Sequence, residues 1–283
     1  MNRLFVNQLT VLDFSYLHPI RGIVGESWIM NIELHGDLNE HGMLFDFGDV
    51  KNILRNAAED FIDHKLVVPA SLPGLIVDPT DNRIHMSFES SSGQKIEAKA
   101  PAEAIAIVPL ADISIFAMEE LLCEHLLSVV PGNVKSVKVA LEEESVKGAY
   151  YHYTHGLKKH QGNCQRIAHG HRSKLEIYTD GQRSQLTEYQ WAKKWKDIYI
   201  GSRDDLCGSE HHNNIMHTRF RYTAVQGEFE LLLPSASVYL IETESTVEWI
   251  AEHIATTLKQ QRPQNTFKVR CYEGVNKGAV AEH

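Results

Sequence analysis

Apolar and polar residues alternate over Met30, Ile32 and Leu34, and again over Leu175 and Ile177. A period of two that ends at a glycine (Gly36, Gly181) predicts a half-buried strand closed by a turn. The two stretches are related, because Val24–Gly36 lies on His169–Gly181 without a gap. Ile84–Phe88 likewise resembles Met216–Phe220, and each is followed by a turn, a second strand-like run and a proline (Pro101, Pro234). Lys138-Val139 with Glu143 and Lys147-Gly-Ala149 returns as Lys268-Val269 with Glu273 and Lys277-Gly-Ala279. Three matches in one order, at offsets of roughly 130 to 145 residues, predict two copies of one unit.

Helical periodicity separates these strands. Asp49 precedes Val50, Ile53, Leu54, Ala57 and Phe61, an apolar stripe at helical spacing. In the second copy, Leu186 to Ile200 carries Trp191, Trp195 and Ile198 in the same way. A later helix is expected from about Ser114, with Met118, Leu121, Leu122 and Leu126. Its counterpart opens on Ser245-Thr-Val-Glu248, a capping box, and buries Val247, Ile250, Ile254 and Leu258. Between the helices each copy carries a hairpin of about 25 residues. The units are expected at residues 1–149 and 150–283. No linker parts them, since Ala149-Tyr-Tyr-His-Tyr-Thr154 reads straight on as strand, so the copies should pack together.

Composition narrows the function. The 283 residues carry 28 Lys and Arg against 37 Asp and Glu, a net charge of -9, which argues against nucleic-acid binding through a general basic surface. No run is long and apolar enough for a transmembrane span, and the N-terminus has no signal-like apolar region. Four dispersed cysteines without a CxxC pair fit a reducing cytoplasm better than a disulfide framework.

Sixteen histidines are unusual, and their placement matters. His169 and His171 stand at i and i+2 of a strand and so share a face. His155, on the preceding strand-like segment, supplies a third imidazole after an antiparallel turn. Three neutral imidazoles with an open position suit a catalytic zinc site, whereas His-Gly-His as a surface turn is the plainer alternative. Cys164 sits in the polar stretch Gly162–Arg166, where basic neighbours favour a thiolate that acts as base or nucleophile. Cys123, on an apolar helix, reads as core, and Cys207 and Cys271 carry no signal. Lys158, Lys159, His160, Arg166 and Arg172 crowd the same region, a local basic patch suited to a phosphorylated substrate.

A His-x-His on a strand, with a third His upstream and a Cys five residues before it, resembles the 6-pyruvoyltetrahydropterin synthase / 6-carboxytetrahydropterin synthase family. In the first copy the stretch Gly42 to Lys51 is similar to the family's entry into its first helix, and Asp63-His64 to its Asp-His motif. The resemblance implies an α+β fold of two tandem T-fold units, each an antiparallel four-stranded sheet with two helices, assembling into a β-barrel. It implies Zn2+ on His155, His169 and His171, Cys164 as catalytic base, Asp63 and His64 as a second acid/base on the other face of the substrate, and Glu273, or its repeat partner Glu143, as anchor of the pterin ring. The first copy departs from the pattern. Val24 and Glu26 replace the paired histidines, no cysteine precedes them, and His18 alone holds no metal. In the second copy no clean Asp-His appears, with Glu210-His211-His212 nearest to one. The losses are complementary, so the resemblance implies one composite site per chain, completed by the first copy of the same or another chain.

The implied activity is that of a cytoplasmic pterin lyase acting on dihydroneopterin triphosphate. Its product is 6-carboxytetrahydropterin, on the queuosine precursor path, or 6-pyruvoyltetrahydropterin. The alternatives are an enzyme of the same fold acting on another ring, and a non-catalytic homologue that binds a pterin, a purine or a protein partner. Copies alternating around one barrel imply a homo-oligomer of two or four chains. Separate rings of three chains would keep Asp63 from the zinc.

Overall fold

The computed structural model describes residues 2–283. The chain is α+β and its two halves repeat one order of elements. The first half begins with a long hairpin of β1 (Asn2–His18) and β2 (Gly22–Gly36), then α1 (Phe47–Ile62) and the short β3 (Leu66–Pro69). A meander of β4 (Leu75–Thr80), β5 (Arg83–Glu89) and β6 (Lys95–Pro101) follows, then β7 (Ile105–Val108), α2 (Ile115–Leu127) and β8 (Val134–Glu143). The second half runs through β9 (Tyr150–His155), β10 (His169–Thr179), the two-residue β11 (Gln182–Arg183), α3 (Gln185–Lys194) and β12 (Ile198–Ser202). Its meander is β13 (Leu206–His212), β14 (Ile215–Ala224) and β15 (Gly227–Pro234), followed by β16 (Val238–Ile241), α4 (Val247–Gln261), β17 (Phe267–Tyr272) and β18 (Gly278–Glu282).

The strands form three sheets. One follows the order β7-β3-β1-β2-β8 and the second β16-β12-β9-β10-β17-β18, with β11 beside β10. The third runs β13-β14-β15-β6-β5-β4 and draws three strands from each half. Its seam is an antiparallel pairing with Leu231 opposite Ala98. The inserts are therefore three-stranded meanders rather than hairpins, and they join the halves into one sheet. Backbone pairing across that seam removes two sheet edges at once.

Three apolar clusters fill the molecule. Val50, Leu54, Ala58 and Ile62 of α1 and Met118, Leu122 and Leu126 of α2 pack on β1, β2 and β8. Ile250, Ile254 and Leu258 of α4 and Trp191 of α3 pack on β10 and β17. A third cluster, including Phe88, Phe220, Phe229 and Leu231, lies under the shared meander sheet. Each fully buried side chain of this size contributes about 1.5–3 kcal/mol.

Helix ends differ from expectation in three places. α1 starts at Phe47, because Asp46 caps it by accepting from the Gly48 amide at 2.8 Å. α3 stops at Lys194, and Asp197 turns into the left-handed region (φ 54°), so Ile198 begins a strand instead of continuing the stripe. α4 is capped by Thr246, one residue later than the capping box, because Ser245 faces His155.

The hairpins β1–β2 and β9–β10 meet face to face. Ser15 and Thr154 hydroxyls bond at 2.8 Å, and both are buried. The approach requires glycine on both sides. A Cβ on Gly170 would fall against the Tyr153 carbonyl and 2.6 Å from the Gly25 Cα, and one on Gly25 would lie 2.6 Å from the His171 amide nitrogen. This explains the residue between the two histidines of His-Gly-His.

Candidate functional site

The β9–β10 register places His155 directly opposite His169. The i, i+2 spacing adds His171 on the same face. All three rings are buried, and their centroids lie 4.4 Å (155–169), 5.3 Å (155–171) and 5.7 Å (169–171) apart. One ring nitrogen from each falls within 4.8 Å of the others. A surface turn is therefore excluded.

The rings are oriented from behind. His155 Nδ1 donates to the Ser245 carbonyl at 2.9 Å, and His169 Nδ1 to the Arg166 carbonyl at 2.9 Å. His171 Nδ1 stands 3.2 Å from Asp13 Oδ1. With Nδ1 so occupied, His155 and His169 present Nε2, the arrangement in which protein histidines hold metals. His155 Nε2 and both ring nitrogens of His171 are buried without a hydrogen-bond partner. Such orphans are costly unless something fills the space between them. Burial, then the neighbouring imidazoles, holds His155 and His169 well below the ordinary histidine range, so both are neutral. The donor set fits a divalent ion such as zinc.

Asp13, on β1 of the first copy, was not singled out in the sequence. It accepts from Ser27 Oγ at 2.5 Å and from Lys277 Nζ at 2.9 Å. Burial alone would push its carboxyl up, but His171, Lys277 and Ser27 outweigh burial and hold it well below the usual carboxylate range. It is thus a buried carboxylate that joins both copies behind His171. Its only trace in the sequence is an acid on the polar face of a strand.

The first copy of the same chain also supplies Asp63 and His64. Asp63 caps α1, accepts from the Asp13 amide at 2.8 Å and holds His64 Nδ1 at 2.5 Å. His64 adopts φ 52°, and its ring lies 5.1 Å from that of His169. Burial lowers the affinity of His64 for a proton, but its hydrogen bond to the Asp63 carboxylate and the neighbouring Cys164 sulfur outweigh burial, and its pKa is pushed up to about 10. His64, Cys164 and His169 form a second close triad, with His169 common to both. The Cys164 sulfur and a ring nitrogen of His64 thus lie within 4.8 Å of each other. The junction is intrachain, so it does not depend on how chains assemble.

Glu273 follows β17 and brings Oε1 to 4.0 Å from His171 Nε2. Glu143 does not join it. This residue ends β8 opposite Trp28 and lines a separate cavity. The basic patch also divides. Lys158 pairs with Asp205, Lys159 with Glu244, and Arg166 bonds Gln226. Arg172 points to the opposite face of β10 from His171, stacks on Tyr150 and donates to the Glu144 carbonyl. Glu210 lies on β13 beside Arg219, and His212 bonds Glu89. The position equivalent to Asp63-His64 in the second copy is Lys196-Asp197, since Leu66 pairs with Ser15 as Tyr199 does with Thr154. By the same register, Tyr16 rather than His18 occupies the place of His155.

Among the described residues, no helix is long and apolar enough to cross a membrane. A profile of the family described as 6-pyruvoyl tetrahydropterin synthase matches the chain twice, over residues 11–152 and 144–283. A curated protein of Pyrococcus horikoshii named "Putative 6-carboxy-5,6,7,8-tetrahydropterin synthase" is 23% identical over 137 residues, covering 47% of this chain and 76% of that protein. One of the same name from Pyrococcus abyssi is 20% identical over the same shares. Among solved structures, 6-pyruvoyl tetrahydropterin synthase of Plasmodium vivax is similar at 15% identity and a TM-score of 0.42, covering 52% of this chain and 93% of that one. The Plasmodium falciparum protein is similar at 12% and 0.40, covering 50% and 90%. Both halves are matched, and the chain therefore belongs to the 6-pyruvoyl tetrahydropterin synthase family as a tandem of two copies.

Proposed function

We propose that this chain is a zinc-dependent lyase that converts dihydroneopterin triphosphate to 6-carboxytetrahydropterin, on the queuosine precursor path. Family membership supports pterin synthase or lyase chemistry, and the names of the curated relatives favour the 6-carboxy product over the 6-pyruvoyl one. The observation that carries the reading is the convergence of three buried imidazoles from one copy beside Asp63-His64 of the other. His155, His169 and His171 would hold the ion, which when bound supplies a Lewis acid for an oxygen of the substrate side chain. Glu273 accepts the adjacent N–H groups of the pterin ring and fixes its orientation. Asp63 orients His64, and His64 takes the Cys164 proton, leaving a thiolate that abstracts a proton from a substrate carbon. Imidazolium at His64 then returns a proton to the rearranged side chain.

The test combines metal analysis with incubation of the purified protein with dihydroneopterin triphosphate and mass analysis of the products. About one zinc per chain and a 6-carboxy product with release of acetaldehyde and triphosphate are expected. Cys164→Ala should lose turnover by about a hundredfold or more while keeping its zinc. A chain that neither contains nor takes up zinc, or a fully active Cys164→Ala variant, would overturn the assignment.

A further inference from the structure

His169 belongs to two triads at once. One is the three-histidine set, and the other is His64, Cys164 and His169, whose donor atoms likewise all lie within 4.8 Å of one another. A tetrahedral ion at ordinary bond lengths sets its donors about 3.5 Å apart, so each triad closes on an ion through side-chain shifts of about 1 Å. His169 Nδ1 donates to the Arg166 carbonyl, which leaves Nε2 with a single lone pair. That lone pair binds one ion, so the two seats exclude each other at full occupancy.

The second triad is built as a metal seat is built. His64 Nδ1 is held at 2.5 Å by the Asp63 carboxylate, which leaves Nε2 for the triad. A carboxylate behind an imidazole is the arrangement that orients metal-binding histidines. Asp63 is itself fixed, because its other oxygen accepts from the Asp13 amide at 2.8 Å. Cys164 sits in a short turn whose backbone is pinned, the Leu157 amide donating to the Cys164 carbonyl at 3.0 Å. The charges of the two seats differ as well. Behind the three-histidine seat, the Asp13 carboxylate is paired with Lys277 at 2.9 Å. At the second seat a Cys164 thiolate and the Asp63 carboxylate together bring two negative charges, which balance a divalent ion. A thiolate also makes this donor set softer than three imidazoles, and soft sets select thiophilic ions.

We propose that His64, Cys164 and His169 form a second metal seat, overlapping the three-histidine seat and selective for thiophilic ions such as Cd2+ and Cu+. Binding there displaces the Cys164 thiol proton and any proton on His64, with no change of oxidation state. An ion in this seat occupies the two groups read above as base and proton carrier, so the identity of the metal decides whether they are free. That consequence rests on the proposed function, whereas the seat does not.

The test is titration of the metal-free full chain with Cd2+, read by elemental analysis and by the near-ultraviolet thiolate-to-cadmium absorption. About one tightly bound Cd2+ per chain, with that absorption band, is expected. Cys164→Ser should abolish the band. His64→Ala should weaken Cd2+ by about tenfold or more and leave Zn2+ affinity within about twofold. His155→Ala and His171→Ala should do the reverse, weakening Zn2+ by about tenfold or more and keeping the cadmium band. Circular dichroism identifies a variant that has lost its fold, and two variants of the three-histidine seat keep the comparison open if one does. No band, a band that survives Cys164→Ser, Cd2+ affinity unaltered in His64→Ala, or a band lost from a folded His155→Ala or His171→Ala would each overturn the second seat. Zinc content and turnover of the unaltered chain answer separately for the proposed function: a chain that shows the band and lacks turnover keeps the seat and loses the enzyme.

Discussion

At the residue scale, the candidate site depends on what stands behind its histidines. The Asp13 carboxylate stands 3.2 Å from His171 Nδ1 across the copy boundary, and carboxylates behind metal-binding histidines commonly matter roughly 10–100-fold in metal affinity. Asp13→Asn should therefore weaken zinc by about that factor, read by chelator competition, with the fold retained by circular dichroism. An unaltered affinity would refute the role. Glu26 offers an independent check. Burial, reinforced by Glu143, pushes its carboxyl up to about 8 from the ordinary 4.5, although the Ser27 amide, Arg172 and Arg21 oppose the shift. The native state then keeps a proton that the unfolded chain sheds above its ordinary value. This contribution is complete below about pH 4.5 and is lost as pH rises toward 8, by up to a few kcal/mol. Denaturant unfolding at pH 5 and pH 8 should show the decline, and Glu26→Gln should flatten it. The sequence displayed the histidines, Cys164 and Asp63-His64 because their spacing is local. Asp13 and Ser245 were invisible as partners because each reaches its histidine from a distant segment.

At the element scale, hydrophobic period located the strands and the helical cores correctly, and it erred at ends. The stripe of α3 ran on in sequence through Trp195 and Ile198, yet Asp197 in the left-handed region ends it. The cap of α4 moved because Ser245 is drawn to His155. In both cases a tertiary demand outbid a local preference. The hairpin contact is less forgiving. Gly170→Ala places a methyl group between two backbones and should cost about 1–3 kcal/mol or more, measured by denaturant midpoint. A neutral substitution would mean that β2 and β10 can separate without loss.

At the scale of the molecule, the two copies are bound by a shared sheet, a face-to-face hairpin contact and a composite cluster. The notion that a ring of three chains would separate Asp63 from the metal falls away, because His64 reaches His169 within one chain. Assembly is governed instead by sheet edges. β8 and β18 each end a sheet with an unpaired edge among the described residues. Open edges of that length are ordinarily covered. We propose pairing of these edges between chains into a barrel of two chains, or a tetramer of two barrels. Light scattering should give a mass of two or four chains, and a monomer or trimer would exclude that assembly.

By itself, the sequence determined the repeat, the alternation of strand and helix, the α+β class and which side chains are candidates for the site. All of these are written in short-range periodicity and in spacing along the chain. Tertiary structure alone decided that the composite cluster closes within one chain, that Cys164 comes within 4.8 Å of His64, that Arg172 and Glu143 face away from the histidines, and that a second cavity exists. Those facts follow from which distant strands meet and in which register, and neighbouring residues do not encode that locally.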